Sequence, residues 1–230
     1  LAGELLNPPL FNLSGVTFNA TYNFKASPTV TAYELPSNIS GTLTINNVNG
    51  VILNATTTAQ KLTLISGTLT TASSSALTIT GTNASDVSAG SGTSFVKGPL
   101  VRTFPAALAA GTTYLFPVGK SSYNPMALVD VVTTGTGTAM IQAEVFDDDP
   151  GGTPGTGLGA LLVPPYWKAE PTSLVDITVD QVKFRFPNRS NLGAANLIGK
   201  STTSNGTYES IGGTVSGSSI TSDVQNSFSY

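Results

Sequence analysis

The sequence predicts an all-β protein: β-solenoid-like or meander strand repeats first, a β-sandwich after them. Three observations carry this expectation. A short phrase recurs, Ser40-Gly-Thr-Leu-Thr-Ile45 and then Ser66-Gly-Thr-Leu-Thr-Thr71, with Lys61-Leu-Thr-Leu64 and Ala76-Leu-Thr-Ile-Thr80 beside it. Each piece alternates a branched apolar residue with Thr, the period-two signature of a strand with one buried and one wet face. No stretch keeps a helical period for three turns. The best helix-forming run, Ala106–Ala110, is trapped between Pro105 and Gly111, so it has room for one turn at most.

Taken in order, residues 1–34 open on Pro8-Pro9 and then read as strands around Val16–Tyr22 and Thr29–Tyr33. Residues 39–81 hold the Leu-Thr strands with Val51-Ile-Leu53 among them, divided by turn signals at Asn46-Asn47, Asn49-Gly50, Ser66-Gly67 and Gly81–Asn83. Leu43, Ile45, Leu62, Leu64, Leu69, Leu77 and Ile79 are expected to point inward, with Thr outward. The Ser/Ala/Gly stretch Asp86–Thr93 reads as a loop, and the chain divides there into a repeated-strand region, 1–93, and a sandwich domain, 94–230. The second part offers strands at Phe95-Val96, Leu100–Phe104, Thr113–Phe116, Ala127–Val132 and Ala139–Phe146. After the loop Asp147–Gly159 come Tyr166–Lys168, Val175–Val179 and Val182–Phe186, and the tail adds Asn196–Ile198, Thr207-Tyr208, Ser219–Thr221 and Asn226–Tyr230. Short strands joined by short turns suit a two-sheet sandwich.

Composition bounds the function. The 230 residues are 40% hydrophobic and only 10% charged, so Ser and Thr, roughly a quarter of the chain, must fill much of the wet surface. Net charge is −3 and the basic residues are scattered singly, so nucleic acid finds no electrostatic footing. No apolar run reaches the length of a membrane span. The start at Leu1 and the lack of a charged-then-apolar leader lead to the expectation of a processed mature protein or an excised domain. Cys and His are both absent, which removes disulfides, thiol nucleophiles, imidazole metal ligands and Ser-His-Asp chemistry. Sequons at Asn12, Asn19, Asn38, Asn54, Asn83, Asn188 and Asn205 fit a surface protein, though a chain this rich in Asn, Ser and Thr also makes such triplets by chance.

Ser94-Phe-Val-Lys-Gly-Pro-Leu-Val-Arg-Thr103, Phe116-Pro-Val-Gly-Lys-Ser-Ser-Tyr-Asn-Pro125 and Tyr166-Trp-Lys168 occur here in that order, after Gly-Thr-Leu-Thr repeats. In this, residues 38–230 resemble large secreted and cell-surface proteins of the Bacteroidota. The resemblance implies secretion and surface display, and it carries no catalytic residues over to this chain. It departs from that pattern at the tail, where nothing after Phe186 looks like the C-terminal sorting domain common in such proteins.

Several constellations invite chemistry. Gly119-Lys120-Ser121 lacks the earlier Gly of a phosphate loop, because position 114 is Tyr, and Asn124-Pro125 stops a following helix; a polar turn is expected. Asp147-Asp148-Asp149 before Pro150-Gly-Gly152 is a calcium candidate, weighed against a plain acidic loop, since adjacent side chains do not all face one point in an extended chain. Glu144, Asp147, Glu170, Asp176 and Asp180 are the carboxylates available for glycoside chemistry, but strand-end carboxylates are usually just solvated, so no enzyme is expected. Trp167, Tyr166 and Tyr123 could form a sugar-stacking platform, or Trp167 could sit in the sandwich core.

The reading that follows is a structural subunit of a bacterial extracellular or cell-surface filament, partnered by other copies of itself through strand pairing. The alternative is a carbohydrate-binding or adhesive module of a larger secreted protein, with surface glycans as partners. Leu5, Leu6, Leu10 and Phe11 are the first choice for joining subunits, because Pro8-Pro9 make that apolar stretch a poor strand in its own domain. Phe228 and Tyr230, alternating with Ser, are the second.

Overall fold

A computed structural model describes residues 19–23, 29–31, 35–162, 164–187 and 195–226. Their regular structure is almost all strand, at 54% strand against 2% helix; a single 3-10 turn, Ala84–Asp86, is the one helical element among them. The first half is a parallel β-solenoid of about four turns. Its strands are β1 (Ala20–Asn23), β2 (Thr29–Val30), β3 (Asn38–Asn46), β4 (Val51–Ile52), β5 (Thr57–Ser66), β6 (Leu69–Thr70), β7 (Leu77–Ile79), β8 (Val96–Lys97), β9 (Leu100–Phe104), β10 (Thr113–Phe116) and β11 (Val118–Gly119). Successive coils alternate between two parallel sheets, β1-β3-β5-β7-β9 and β2-β4-β6-β8-β11.

The alternation of Thr with Leu or Ile produces this directly. Leu43 pairs with Leu62, Thr44 with Thr63 and Ile45 with Leu64, so like residues stack from coil to coil. All seven inward residues expected from the pattern are buried, five of them at 0% exposure. Each such side chain contributes about 2 kcal/mol relative to lying in water. The two copies of the repeated phrase do not stack on each other. The first lies in β3, while the second turns the corner into β6, where Leu69 meets Val51 and Val96. Stacking follows the length of a coil and not the identity of the words. At that corner the buried Asn47 amide donates to the Gly50 carbonyl at 2.9 Å and accepts from Asn49 N–H at 3.2 Å. Gly67 lies against this turn at φ +76°, and a Cβ there would fall 1.7 Å from the Asn47 carbonyl oxygen, so no other residue fits.

Residue 93, the division expected from composition, lies inside a coil. The ladder passes it through the pairs β6–β8 and β7–β9 and continues to Gly119. The Ser/Ala/Gly stretch lengthens one coil and docks on β5: Val87 bridges Leu62, and Ser88 Oγ accepts from Leu64 N–H at 2.8 Å. Small residues allow that close approach, so their composition marks a packed excursion here and not a boundary.

The second half is built on β12 (Met126–Phe146), β13 (Thr153–Pro154), β14 (Tyr166–Phe186), β15 (Gly199–Lys200), β16 (Thr207–Ser210), β17 (Thr214–Ser216) and β18 (Ser219–Thr221). β12 and β14 pair antiparallel along their whole length. Each joins segments that the sequence pattern separates, Ala127–Val132 with Ala139–Phe146, and Tyr166–Lys168 with both later runs. β12 also pairs with β9 through Ala139–Ala143 and with β10 through Met126–Val129, so the parallel sheet continues without a break into β14-β18-β17. The ribbon is not straight. The rings of Trp167 and Phe186, near opposite ends of β14, have centroids 4.3 Å apart; an unbent strand at about 3.3 Å per residue would hold them about 60 Å apart. The fold-back falls where the register shifts, between Val129 and Val132 and between Gly135 and Thr138, and where Asp130, Gly135 and Asp176 take φ of 53°, 115° and 52°. One bent ribbon thus supplies both layers of the sandwich, and Ile141, Val145, Leu128, Val179 and Val182 join the solenoid's Leu and Ile in a single core.

Arg102 anchors the last part of the solenoid, on the strand that pairs with the ribbon. It is wholly buried in β9, its guanidinium 5.1 Å from the Tyr114 ring centroid and 5.9 Å from that of Phe116. It donates to the carbonyls of Leu115 at 2.7 Å, Asn83 at 2.9 Å and Ala84 at 2.9 Å. Burial lowers its pKa to about 10, against the opposing influence of Tyr114 and Asp86. Asp86, itself buried, pairs with Lys61 at 3.4 Å and accepts from Asn83 N–H at 2.9 Å.

Candidate functional site

The fold-back brings both ends of β14 to one place, and the small sheet β13-β16-β15 stands across from them. Between the two lies a cleft of about 320 Å³. Tyr166, Trp167 and Phe186 of β14 line it on one side, and Lys200 of β15 and Tyr208 of β16 on the other.

Each aromatic is held. Trp167 donates its indole N–H to the Asn124 carbonyl at 2.9 Å, and its ring tilts 45° against Phe186. Tyr166 stacks on Phe146, its cross-strand partner, at 4.9 Å and 12°. Tyr208 donates its hydroxyl to the Ser204 carbonyl at 2.8 Å, fixing the turn that carries Ser201–Ser204 along the cleft. Burial raises the Tyr166 hydroxyl pKa, and Asp148, Tyr208 and Glu144 raise it further. Burial likewise raises that of Tyr208, with Asp149 adding to it. The Lys200 ammonium stands 5.7 Å from the Phe184 ring centroid, and burial lowers its pKa. Lys168, the other lysine on the cleft, is paired with Glu170 at 2.6 Å.

Of the three platform candidates, Tyr166 and Trp167 come together here. Tyr123 does not: it packs near Phe95 at 5.9 Å, donates its hydroxyl to the Ala89 carbonyl, and is pushed up to about 12 by burial. The acidic triplet splays apart. Asp147 accepts from both the backbone N–H, at 2.7 Å, and the hydroxyl of Ser121, while Asp149 accepts from Gly151 N–H at 2.8 Å. Among the described residues no group of three or more acidic side chains is arranged to hold a metal. Lys120, following β11, sits in a turn whose N–H donates to the Ser122 carbonyl at 3.1 Å. Of the five carboxylates, Glu144 and Glu170 approach each other, since Glu144 pairs across the ribbon with Lys168. Burial raises the Glu144 pKa, Lys120 and Lys168 oppose this, and Glu170 adds to it. Asp176 marks the fold-back, and Asp180 is exposed on β14.

The subunit-joining candidates Leu5, Leu6, Leu10, Phe11, Phe228 and Tyr230 lie outside the described residues, as do the sequons at Asn12 and Asn188. Asn19, Asn38, Asn54, Asn83 and Asn205 are exposed. The residues that sequence reasoning missed are Lys200, Phe186 and Tyr208. Their strands were visible in part, but nothing local indicates that the tail folds over Trp167.

No protein-family model, curated protein or solved structure matches the chain. Among the described residues no helix is long and apolar enough to cross a membrane.

Proposed function

We propose that this protein is a structural subunit of a bacterial extracellular or cell-surface assembly, working through strand pairing between copies and not through chemistry. One observation carries the reading: the solenoid is asymmetric. In its longer sheet the last coil's β9 pairs on into β12 of the folded ribbon, whereas among the described residues β1 stands at the other end with one strand partner; in the shorter sheet β2 and β11 are both end strands. A parallel ladder that stops at such an edge is a template for another strand. Sparse charge also weakens repulsion between copies. The experiment is deletion of residues 1–13 and, separately, of 224–230, followed by sedimentation and electron microscopy. The full chain is expected to form regular fibres at high concentration, and removal of 1–13 to abolish them. Fibres unchanged in both truncated proteins would show that neither terminus donates the strand.

A second reading, a carbohydrate-binding or adhesive module, is favoured by a separate observation: Tyr166 and Trp167 share a cleft with Phe186 and, across from them, Tyr208. Aromatic walls with a few placed polar groups are what small-ligand sites are made of. The two readings are compatible, since a displayed rod can carry a binding site at its capped end.

A further inference from the structure

We infer that the cleft between β14 and the β15–β16 pair holds an uncharged sugar whose ring hydroxyls are all equatorial, packed between Tyr166 and Trp167 on one wall and Tyr208 on the other. This rests on the second reading above, that the cleft takes sugars, and names the kind of sugar.

Size limits the occupant first. At about 320 Å³ the cleft is at the small end of ligand sites, which run from about 300 to 1,000 Å³. It admits a short stretch of a sugar chain and not the face of a folded partner. Aromatic residues on both sides then select the ring. A pyranose with every hydroxyl equatorial carries C–H groups on both faces and its hydroxyls around the rim. Such a ring packs against two aromatic walls at once. One axial hydroxyl puts a polar group on a face, where an aromatic wall strips it of water and offers it no partner. The walls are fixed before a ligand arrives. Trp167 is tied to the Asn124 carbonyl at 2.9 Å, Tyr166 is stacked on Phe146, and Tyr208 is tied to the Ser204 carbonyl at 2.8 Å. Gly152 backs the Tyr208 ring so closely that a Cβ there would fall 2.4 Å from it. At the edge, the hydroxyl-bearing residues Ser201–Ser204 border the cleft, so hydroxyls on the rim of the sugar find donors and acceptors. Charge does not select the ligand. Lys168 is paired with Glu170 at 2.6 Å, and the Lys200 ammonium stands 5.7 Å from the Phe184 ring centroid, so both cations on the cleft are engaged within the protein. No carboxylate is among the lining residues, and an uncharged sugar therefore strands no opposing charge when it displaces water.

Trp167 is the chain's single Trp, so its emission reports on this cleft. The full chain is titrated with three uncharged, linear, β-linked oligosaccharides of equal length, joined through the same ring positions: a glucan, a xylan and a mannan fragment. The first two have no axial hydroxyl, and the mannan differs from the glucan by one on each ring. The glucan and xylan fragments are expected to change Trp167 emission saturably, and the mannan fragment to bind about tenfold more weakly or worse. Tyr208→Ala removes the second wall. Affinity for the glucan is then expected to fall about tenfold, and its lead over the mannan to narrow, because a mannose ring can turn its axial hydroxyl to the open side. Tyr208→Phe keeps the ring, loses the hydrogen bond to Ser204, and is expected to keep the lead. Equal affinity for glucan and mannan in the wild type, or a lead undiminished in Tyr208→Ala, overturns the two-walled assignment while leaving sugar binding intact. A lead lost equally in Tyr208→Phe overturns it as well, since selection would then belong to the turn and not to the ring. No response to any of the three sugars overturns both readings. Should Tyr208→Ala fail to fold, the wild-type chain answers alone through its ratio of glucan to mannan affinity.

Discussion

The two halves of this molecule reach the same end, a buried layer of Leu, Ile and Val, by opposite routes. In the solenoid successive coils repeat: Leu43 covers Leu62, Leu77 covers Leu100, and the strand pairs between coils are parallel. Shape there is a sum of equal steps, and each coil contacts chiefly the next. In the ribbon β12–β14 nothing repeats. One antiparallel pair is bent at a few special positions until its own ends meet. A solenoid coil is specified by side chains that alternate; the ribbon is specified by the backbone at Asp130, Gly135 and Asp176. The site falls in the second region for this reason. A repeating surface presents the same residues again and again, whereas a fold-back brings together residues that no repeat would place side by side.

The largest effect is expected where the two regions meet. Arg102→Met removes the donor to three backbone carbonyls and the cation beside Asp86, inside a packed aromatic pair. Leaving buried polar groups without their partner costs about 3–5 kcal/mol. At roughly 2–4 °C per kcal/mol for a chain of this size, the melting temperature should fall by about 10 °C or more. The comparison sharpens if far-ultraviolet circular dichroism and Trp167 fluorescence fall together, because the solenoid and the ribbon then share one cooperative unit. A melting temperature within about 2 °C of wild type would mean that Arg102 does not anchor the end of the solenoid on which the ribbon is built.

A smaller effect separates the routes themselves. Gly135 sits at φ 115°, with the Asp176 carbonyl 2.2 Å from where a Cβ would be. Gly135→Ala therefore strains both its own backbone and the opposite strand, at a cost of about 1–3 kcal/mol. It should also loosen the contact between Trp167 and Phe186, reddening Trp emission, although neither residue is near position 135 in sequence. Thr63→Val, within the Thr column of the solenoid, should do neither, because a β-branched residue replaces another on a pleated surface. Equal effects from the two changes would erase the distinction between a bent ribbon and a repeating ladder.

How much was legible follows the same division. The inward set of Leu and Ile could be read because a period of two leaves only one assignment of faces. The stacking partners could not, since the phrase at 40–45 and its copy at 66–71 fall on different sheets. Strand ends were legible in an unintended way: the pattern lapses after Val132 and resumes at Ala139, and the lapse is the bend, exposed on both strands. Asp130 and Asp176 gave no warning, because Asp takes a left-handed backbone only where its surroundings require it. Of the site, the aromatic pair Tyr166-Trp167 was visible. Lys200 and Tyr208 were not, because their place depends on how the tail returns across the ribbon.

The smallest effect tests what holds that bend. Asp130, in left-handed conformation, accepts from Lys183 Nζ at 2.9 Å and from Gly111 N–H at 3.1 Å, so one carboxylate clips the opposite strand and the turn beside β10. The hydrogen bond from Lys183 is the main reason its pKa is lowered; burial opposes this, and the charge of Lys183, the Gly111 N–H and Arg185 lower it further. A carboxylate whose pKa is lower in the folded than in the unfolded chain adds stability above the unfolded value, about 3.9 for Asp, and that stability is lost as pH falls through the folded value. Both partners remain part-exposed, at 31% and 28%, so the pair is worth no more than about 1 kcal/mol. Lys183→Met should therefore lower the melting temperature by about 2–4 °C at pH 7. The gap from wild type should narrow as pH drops below about 4, where protonation dissolves the pair in the wild type too. A gap of the same size at pH 2.5 and pH 7 would assign the loss to the lysine's packing along β14, and the bend would then rest on Gly135 and the bulges without help from charge.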